Sequence, residues 1–201
     1  MLDKDVTGKI RDKNTTENRI FSEDIRVAGI VNDSITDGPG LRFTLFLQGC
    51  KMNCTRCHNP ESLAVDGGEL YTIRDIIKKL NKNPLLMGVT FSGGEPLLQA
   101  KALIPLAEKI KTARLDLAIY TGYVLEDLLD GSASVYEYSH KSDVMKLLAL
   151  GDTLIDGPFI IEKKSLNLPF RGSTNQRILD IPLSLKQNQP IMKTDIAWTL
   201  E

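Results

Sequence analysis

Cys50, Cys54 and Cys57 are the only cysteines of this 201-residue chain, and they share one short run, Cys50-Lys51-Met52-Asn53-Cys54-Thr55-Arg56-Cys57. Thiolates spaced C-x3-C-x2-C on a single loop can wrap one metal cluster. A cubic 4Fe-4S cluster has four irons, and clusters that only carry electrons usually take four cysteines. Three ligands leave one iron open, and a metal site keeps a position open when a substrate must occupy it. The spacing therefore predicts an iron–sulfur cluster that binds something at its fourth iron. Two other readings of the same residues stand beside it: structural zinc with His58 as fourth ligand, and a disulfide with one spare thiol. The odd cysteine count and the lack of a secretory leader argue against an oxidising compartment.

Other loops could share in such chemistry. Gly93-Gly94-Glu95 lets backbone approach a ligand closely, because glycine has no Cβ, and its carbonyls and the Glu95 carboxylate can accept hydrogen bonds from an ammonium group. Asp37-Gly38-Pro39-Gly40 is a turn by composition.

These residues need elements to carry them. Short apolar runs at 26–31, 41–47, 88–91, 115–120, 153–155 and 177–181 read as strands. Helical periodicity follows Thr72, where Ile73, Ile76, Ile77 and Leu80 line one face behind a capping pattern, with Asp75 in place of the usual Glu. Further helices read at 97–111, where Pro105 must start or kink the helix, at 124–129 and at 142–150. Strand, loop, helix in alternation signals a parallel sheet. A full eight-fold barrel needs about 250 residues, so the expected architecture is α/β, an incomplete, open parallel βα barrel of about five or six units. Cys50–Cys57, Ser92–Pro96, Thr121–Tyr123 and Asp156–Pro158 each follow a strand. In parallel α/β architectures those carboxyl ends share one face, where sites form.

Composition is ordinary for a soluble globular protein: 42% hydrophobic, 25% charged, net charge −1. There is no bulk electrostatic case for nucleic acid, and no apolar run reaches membrane-spanning length. Residues 1–24 read as a flexible N-terminal arm, 25–185 as the domain and 186–201 as a C-terminal tail, in a cytoplasmic protein.

The ordered motifs resemble a known family. Cys50, Cys54 and Cys57, followed one strand later by Gly93-Gly94-Glu95-Pro96, look like a radical S-adenosylmethionine (SAM) enzyme. Asp37-Gly38-Pro39-Gly40-Leu41-Arg42 before the cysteines and Cys57-His58-Asn59-Pro60 after them look like the glycyl-radical-enzyme activases. Thr90–Pro96, Tyr120-Thr121-Gly122-Tyr123, Asp156-Gly157-Pro158-Phe159 and Arg171–Arg177 extend the likeness toward the activases of anaerobic ribonucleoside-triphosphate reductase. The resemblance implies a 4Fe-4S cluster on the three cysteines and S-adenosylmethionine on its open iron, with Gly93, Gly94, Glu95, Thr121, Asn175 and Arg177 as cofactor-binding candidates. It implies reductive cleavage of the cofactor and a hydrogen atom taken from a glycine Cα on the partner reductase, with electrons from a low-potential donor such as flavodoxin. No catalytic side chain beyond cluster and cofactor is assigned. Tyr120 stands where formate-lyase activases carry an acid, so a monovalent cation on Thr121 and Asp156 is not expected. Three alternatives remain at this point: an activase of another glycyl-radical enzyme (formate-lyase type), a small-molecule enzyme of the deazaguanine synthase type, and a non-catalytic electron carrier or metal-stabilised module.

Overall fold

The computed structural model describes residues 24–199, so the expected arm lies, but for Asp24, outside the described residues. Strands β1 (Asp24–Ser34), β2 (Arg42–Leu47), β3 (Glu69–Thr72), β4 (Gly88–Gly93), β5 (Asp116–Tyr120), β6 (Thr153–Asp156) and β7 (Arg177–Asp180) form one seven-stranded sheet in the order β3-β1-β2-β4-β5-β6-β7. Helices α1 (Ile73–Leu80), α2 (Ala100–Thr112), α3 (Leu125–Asp130), α4 (Lys141–Leu150), α5 (Ile181–Gln187) and α6 (Ile196–Thr199) complete the described residues with short 3-10 turns. None of these helices is long and apolar enough to cross a membrane.

The α/β expectation holds, but the sheet is mixed. Four strands, β2, β4, β5 and β6, run parallel in its centre, fewer than the five or six expected. β1, β3 and β7 pair antiparallel. A parallel crossover needs about a dozen residues or more, usually helical. The 35–41 connection is too short for one, and the 157–176 connection contains only the 3-10 turn Ile161–Lys163. In both places the chain returns antiparallel.

Alternation along the central strands divides the sheet into two unlike faces. Phe43, Leu45, Leu47, Val89, Phe91, Leu117, Ile119 and Leu154 point to the helices and join the main core. The opposite face carries Arg42, Thr44, Phe46, Thr90, Ser92 and Tyr120. Arg42, Thr44 and Thr90 are buried there. A polar, buried sheet face is costly unless its groups are paired. Arg42 meets that demand: Nε donates to Thr90 Oγ1 at 2.7 Å, and Nη2 donates to the Val89 carbonyl at 2.8 Å and pairs with Asp116 at 2.6 Å.

Local signals explain most of the helices. Thr72 caps α1 by accepting from the Asp75 amide at 3.2 Å, and its hydroxyl donates to the Asp75 carboxylate at 2.6 Å. The shorter acid thus takes the threonine hydroxyl. Pro105 neither starts nor ends α2, which begins after the 3-10 turn Pro96–Gln99 and runs through the proline. Pro182 stands in the first turn of α5, behind an Asp180 cap that accepts from Leu183 N at 2.9 Å; proline is favoured there because that N–H has no helical partner. The stretch beyond 185 folds back on the sheet: the Lys193 amide donates to Ile178 O at 2.8 Å, and Trp198 is buried at 2% exposure.

Candidate functional site

A cavity of about 560 Å³ opens at the carboxyl ends of the parallel strands. Cys50, Cys54 and Cys57 from the loop after β2 line it, as do Gly93, Gly94 and Glu95 after β4, Thr121 and Gly122 after β5, and Gly157 after β6. Four loops distant in sequence therefore converge, as the strand order predicts.

Gly93 has φ +93°, and a Cβ there would lie 2.5 Å from Leu47 N. A Cβ on Gly94 would run into the Gly49 carbonyl. Both glycines are thus required for the β4 loop to lie against the start of the cysteine loop, where the Gly94 amide donates to Leu47 O and the Glu95 amide to Gly49 O, each at 2.8 Å. This contact sets Glu95 opposite the thiols.

Glu95 is 1% exposed although it reaches the cavity wall. Its carboxylate accepts from Leu97 N at 3.0 Å, Gly122 N at 2.9 Å and the Thr121 hydroxyl at 3.0 Å. The Thr121 hydroxyl also reaches the second oxygen, at 3.1 Å, so both carboxylate oxygens are engaged. Burial pushes the Glu95 pKa up to about 7 against the pull of these donors. The Thr121 hydroxyl also accepts from Tyr123 N at 3.2 Å, which leaves it chiefly to orient Glu95.

Cys50, Cys54 and Cys57 are unpaired thiols, each partly buried. Burial pushes the Cys50 thiol up to about 11 and raises Cys54 as well, so iron must displace protons to bind. The Cys57 sulfur accepts from the Asn59 amide at 3.4 Å. Among the described residues no three of His, Cys, Asp and Glu lie close enough to grip one metal ion. His58 is exposed but packs on Phe159 with ring centroids 4.4 Å apart. Arg56 is exposed, in a left-handed conformation at φ +55°.

Asn175 and Arg177, expected at the cofactor, do not line the cavity. Arg177 Nε and Nη2 bond the fully buried Asp156 at 2.9 and 2.5 Å, and the same guanidinium forks onto Glu126 at 2.8 and 2.6 Å. Glu126 and Asp156 hold the guanidinium firmly charged. Asp156 also caps the start of α3 by accepting from Leu125 N at 2.9 Å. Its charge is thus met by arginine. Asn175 Nδ2 donates to the Pro158 carbonyl at 2.7 Å and ties together the two ends of the 157–176 connection.

Several lining residues are given no cofactor-binding role by the sequence reading. Asp37 takes a 2.5 Å bond from Ser34 Oγ, and its carbonyl accepts from Thr90 Oγ1 at 2.9 Å; its Asp-Gly-Pro composition signals only a turn. Tyr120, Phe170 and Arg171 form another part of the wall. The Tyr120 hydroxyl donates to Phe170 O at 2.8 Å. Arg171 Nη1 donates to Gln176 O at 3.3 Å, while its Nε is buried without a partner.

Comparison with known proteins agrees with this geometry. The model of the family described as "4Fe-4S single cluster domain" matches residues 36–179. The anaerobic ribonucleoside-triphosphate reductase-activating protein of Vibrio cholerae is 34% identical over 152 residues, 72% of this chain and 90% of that protein. The protein of the same name from Escherichia coli K12 is 32% identical over 150 residues, 71% of this chain and 90% of its own length. The pyruvate formate-lyase-activating enzyme of Clostridium pasteurianum is 40% identical over 104 residues, 49% of this chain but 44% of that enzyme.

Proposed function

This chain belongs to the 4Fe-4S single cluster domain family, and from that premise we propose that it is a radical SAM activase that generates a glycyl radical on anaerobic ribonucleoside-triphosphate reductase. One observation carries the reading: the three cysteines and the Gly93–Glu95 loop share one cavity. The relatives covered over 90% of their length carry the reductase-activating name, which favours this partner over formate lyase. Its cofactors are a 4Fe-4S cluster and S-adenosylmethionine.

When bound, the cluster supplies the single electron for reductive cleavage of S-adenosylmethionine, and the hydrogen atom is then drawn from a glycine Cα of the partner. In this reading Cys50, Cys54 and Cys57 bind one iron each. Glu95, on the cavity wall, receives the ammonium group of the cofactor. Gly93 and Gly94 bring the backbone close enough for it to reach, and Thr121 keeps the carboxylate aimed. Phe159, Phe170 and Met52 exclude water from the same cavity. Asn175 and Arg177 brace the wall, with no direct contact to the cofactor.

We also read the sheet as an open βα barrel of the radical SAM type with four parallel strands, supported by the convergence of loops after β2, β4, β5 and β6. The domain is read as 25–185. Electrons would come from a separate low-potential donor such as flavodoxin. Unpaired thiols suit a reducing compartment, and the cytoplasm is the assigned location.

The test is electron paramagnetic resonance of the anaerobically reconstituted, reduced protein, first alone, then with S-adenosylmethionine, then with reductase. A cluster signal that changes with the cofactor and gives way to a glycyl radical on the reductase is the expected result. A cofactor-sensitive cluster without that radical would refute the partner, and no cluster signal after full reconstitution would refute the enzyme.

A further inference from the structure

Trp198 is the only tryptophan of the chain and lies outside the residues matched by the family model. It is 2% exposed, on the short helix α6, against Ala118, Ile155 and Ile178 of the polar sheet face. Its ring does two things at once. The Arg42 guanidinium stands 5.4 Å from the ring centroid, and a Cβ on Gly38 would lie 2.9 Å from Trp198 Cη2. The Phe170 ring also meets it, at 74° between ring planes, with centroids 5.4 Å apart.

Both contacts lead to the cavity. Gly38 adjoins Asp37, and Arg42 bonds Thr90, whose hydroxyl fixes the Asp37 carbonyl. Asp37 lines the cavity. Phe170 also lines it, at φ +52°, a left-handed conformation that is strained for a bulky residue unless its surroundings hold it. Two contacts hold it: the Tyr120 hydroxyl on its carbonyl and the Trp198 ring on its own. Arg171, the next residue, continues the wall.

We propose that Trp198 is a positioning residue, the floor that holds the Asp37 loop and the Phe170–Arg171 loop at the spacing required for the partner's glycine to meet the cofactor. The inference rests on the activase reading. Without the indole, Phe170 has space beneath it, its backbone can relax, and two walls of the cavity lose their common support. Cluster binding is unaffected, because the cysteine loop does not touch Trp198 in any of these contacts. A misplacement of about 1 Å can cost about a hundredfold in rate, so the loss falls on transfer to the partner.

The test compares wild type, Trp198→Phe, Trp198→Ala and Phe170→Leu, each as full chain, anaerobically reconstituted. Iron content and the cofactor-induced change in the cluster's paramagnetic signal are expected to stay near wild type in both Trp198 variants. Glycyl radicals formed per S-adenosylmethionine cleaved should fall by about tenfold or more in Trp198→Ala, fall in Phe170→Leu, and recover largely in Trp198→Phe. An unchanged ratio in Trp198→Ala, or cluster loss in step with the ratio, would overturn the proposal. Fluorescence of the single tryptophan decides separately: acrylamide should quench it weakly in wild type and more strongly in Phe170→Leu. Quenching in wild type like that of a free indole would overturn the floor itself. If wild type makes no glycyl radical on the reductase, the activase reading fails, and the fluorescence result stands independently of it.

Discussion

The Thr121 hydroxyl sits 3.0 Å from Glu95 Oε1 and 3.1 Å from Oε2, so the loop after β5 is fastened to the loop after β4 through one buried carboxylate. Glu95→Ala would remove that junction and leave the Leu97 and Gly122 amides without their acceptor. Each buried orphan costs about 1–3 kcal/mol. The expected outcome is a lower melting temperature, a cofactor affinity reduced by about tenfold or more through the lost charge-assisted bond, and iron content near wild type. Parallel titrations of cofactor and iron check it; iron loss as large as the affinity loss would contradict this division of labour.

The same carboxyl makes the cluster-free chain pH-sensitive. Its pKa rises from 4.5 to about 7 on folding because the group is buried. Between those values the folded chain holds a proton that the unfolded chain has released, so stability from this group falls as pH rises through the window and is level on either side. Glu95→Gln cannot titrate and should lack this component. Urea unfolding of both proteins at about pH 5 and about pH 7.5 measures it. The variant should gain on wild type at the higher pH, and a gap that stays constant would remove Glu95 as the cause.

Arg177 should behave as a structural residue. Asp156 is fully buried, and removing the guanidinium would strand its charge, a loss of about 3–5 kcal/mol. Glu126 is about half exposed, so Glu126→Ala should cost less than about 1 kcal/mol. Denaturation of Arg177→Ala and Glu126→Ala checks the contrast. Cofactor affinity in whatever Arg177→Ala remains folded should match wild type, since the side chain does not line the cavity.

Where the site lies was legible because its residues obey local rules. Three cysteines on one loop and paired glycines after a strand announce their chemistry by type and spacing, and strand alternation brings their loops to one end. Sheet orientation at the edges was half legible: the 35–41 connection is too short for a crossover, so the antiparallel β1–β2 pair follows from length alone. Strand β3 carries only four residues and is specified by pairing with β1, which no local pattern announces. Arg177 and Trp198 were opaque for a related reason. An arginine in a polar run looks alike whether it meets a ligand or a buried aspartate, and a lone tryptophan in an aperiodic tail gives no sign of its partners. Both are set by residues far away in sequence: Asp156 and Glu126 for one, Arg42 and Phe170 for the other.

Gly93 tests the backbone directly. Alanine there must adopt φ +93° with its Cβ 2.5 Å from Leu47 N, so strain and clash act together and exceed the roughly 1 kcal/mol of a tolerated Gly→Ala change. The loop after β4 is expected to withdraw from the cysteine loop, lowering melting temperature and cofactor affinity together. Gly131→Ala also needs a positive φ, +96°, but its Cβ would meet only the flexible end of Lys141 at 3.0 Å. It should cost stability and leave cofactor affinity unchanged. Equal affinity losses in the two variants would mean that the effect is global and not specific to the Gly93 contact.

Cys54→Ala puts the cluster itself at stake. An electron carrier with four cysteines has ligands to lose, but in the proposed site three thiols would hold a four-iron group, with one iron left without a protein ligand. The cysteine loop offers no fourth cysteine to substitute. The variant is expected to lose iron, visible absorbance and turnover together. The open iron also leaves wild type exposed to oxidants before cofactor binds, so aeration should bleach it, and S-adenosylmethionine added beforehand should slow that loss. Anaerobic and aerated iron assays with and without cofactor measure both effects. A Cys54→Ala protein with full iron and turnover, or a wild type indifferent to prolonged aeration, would remove the three-cysteine cluster from this site.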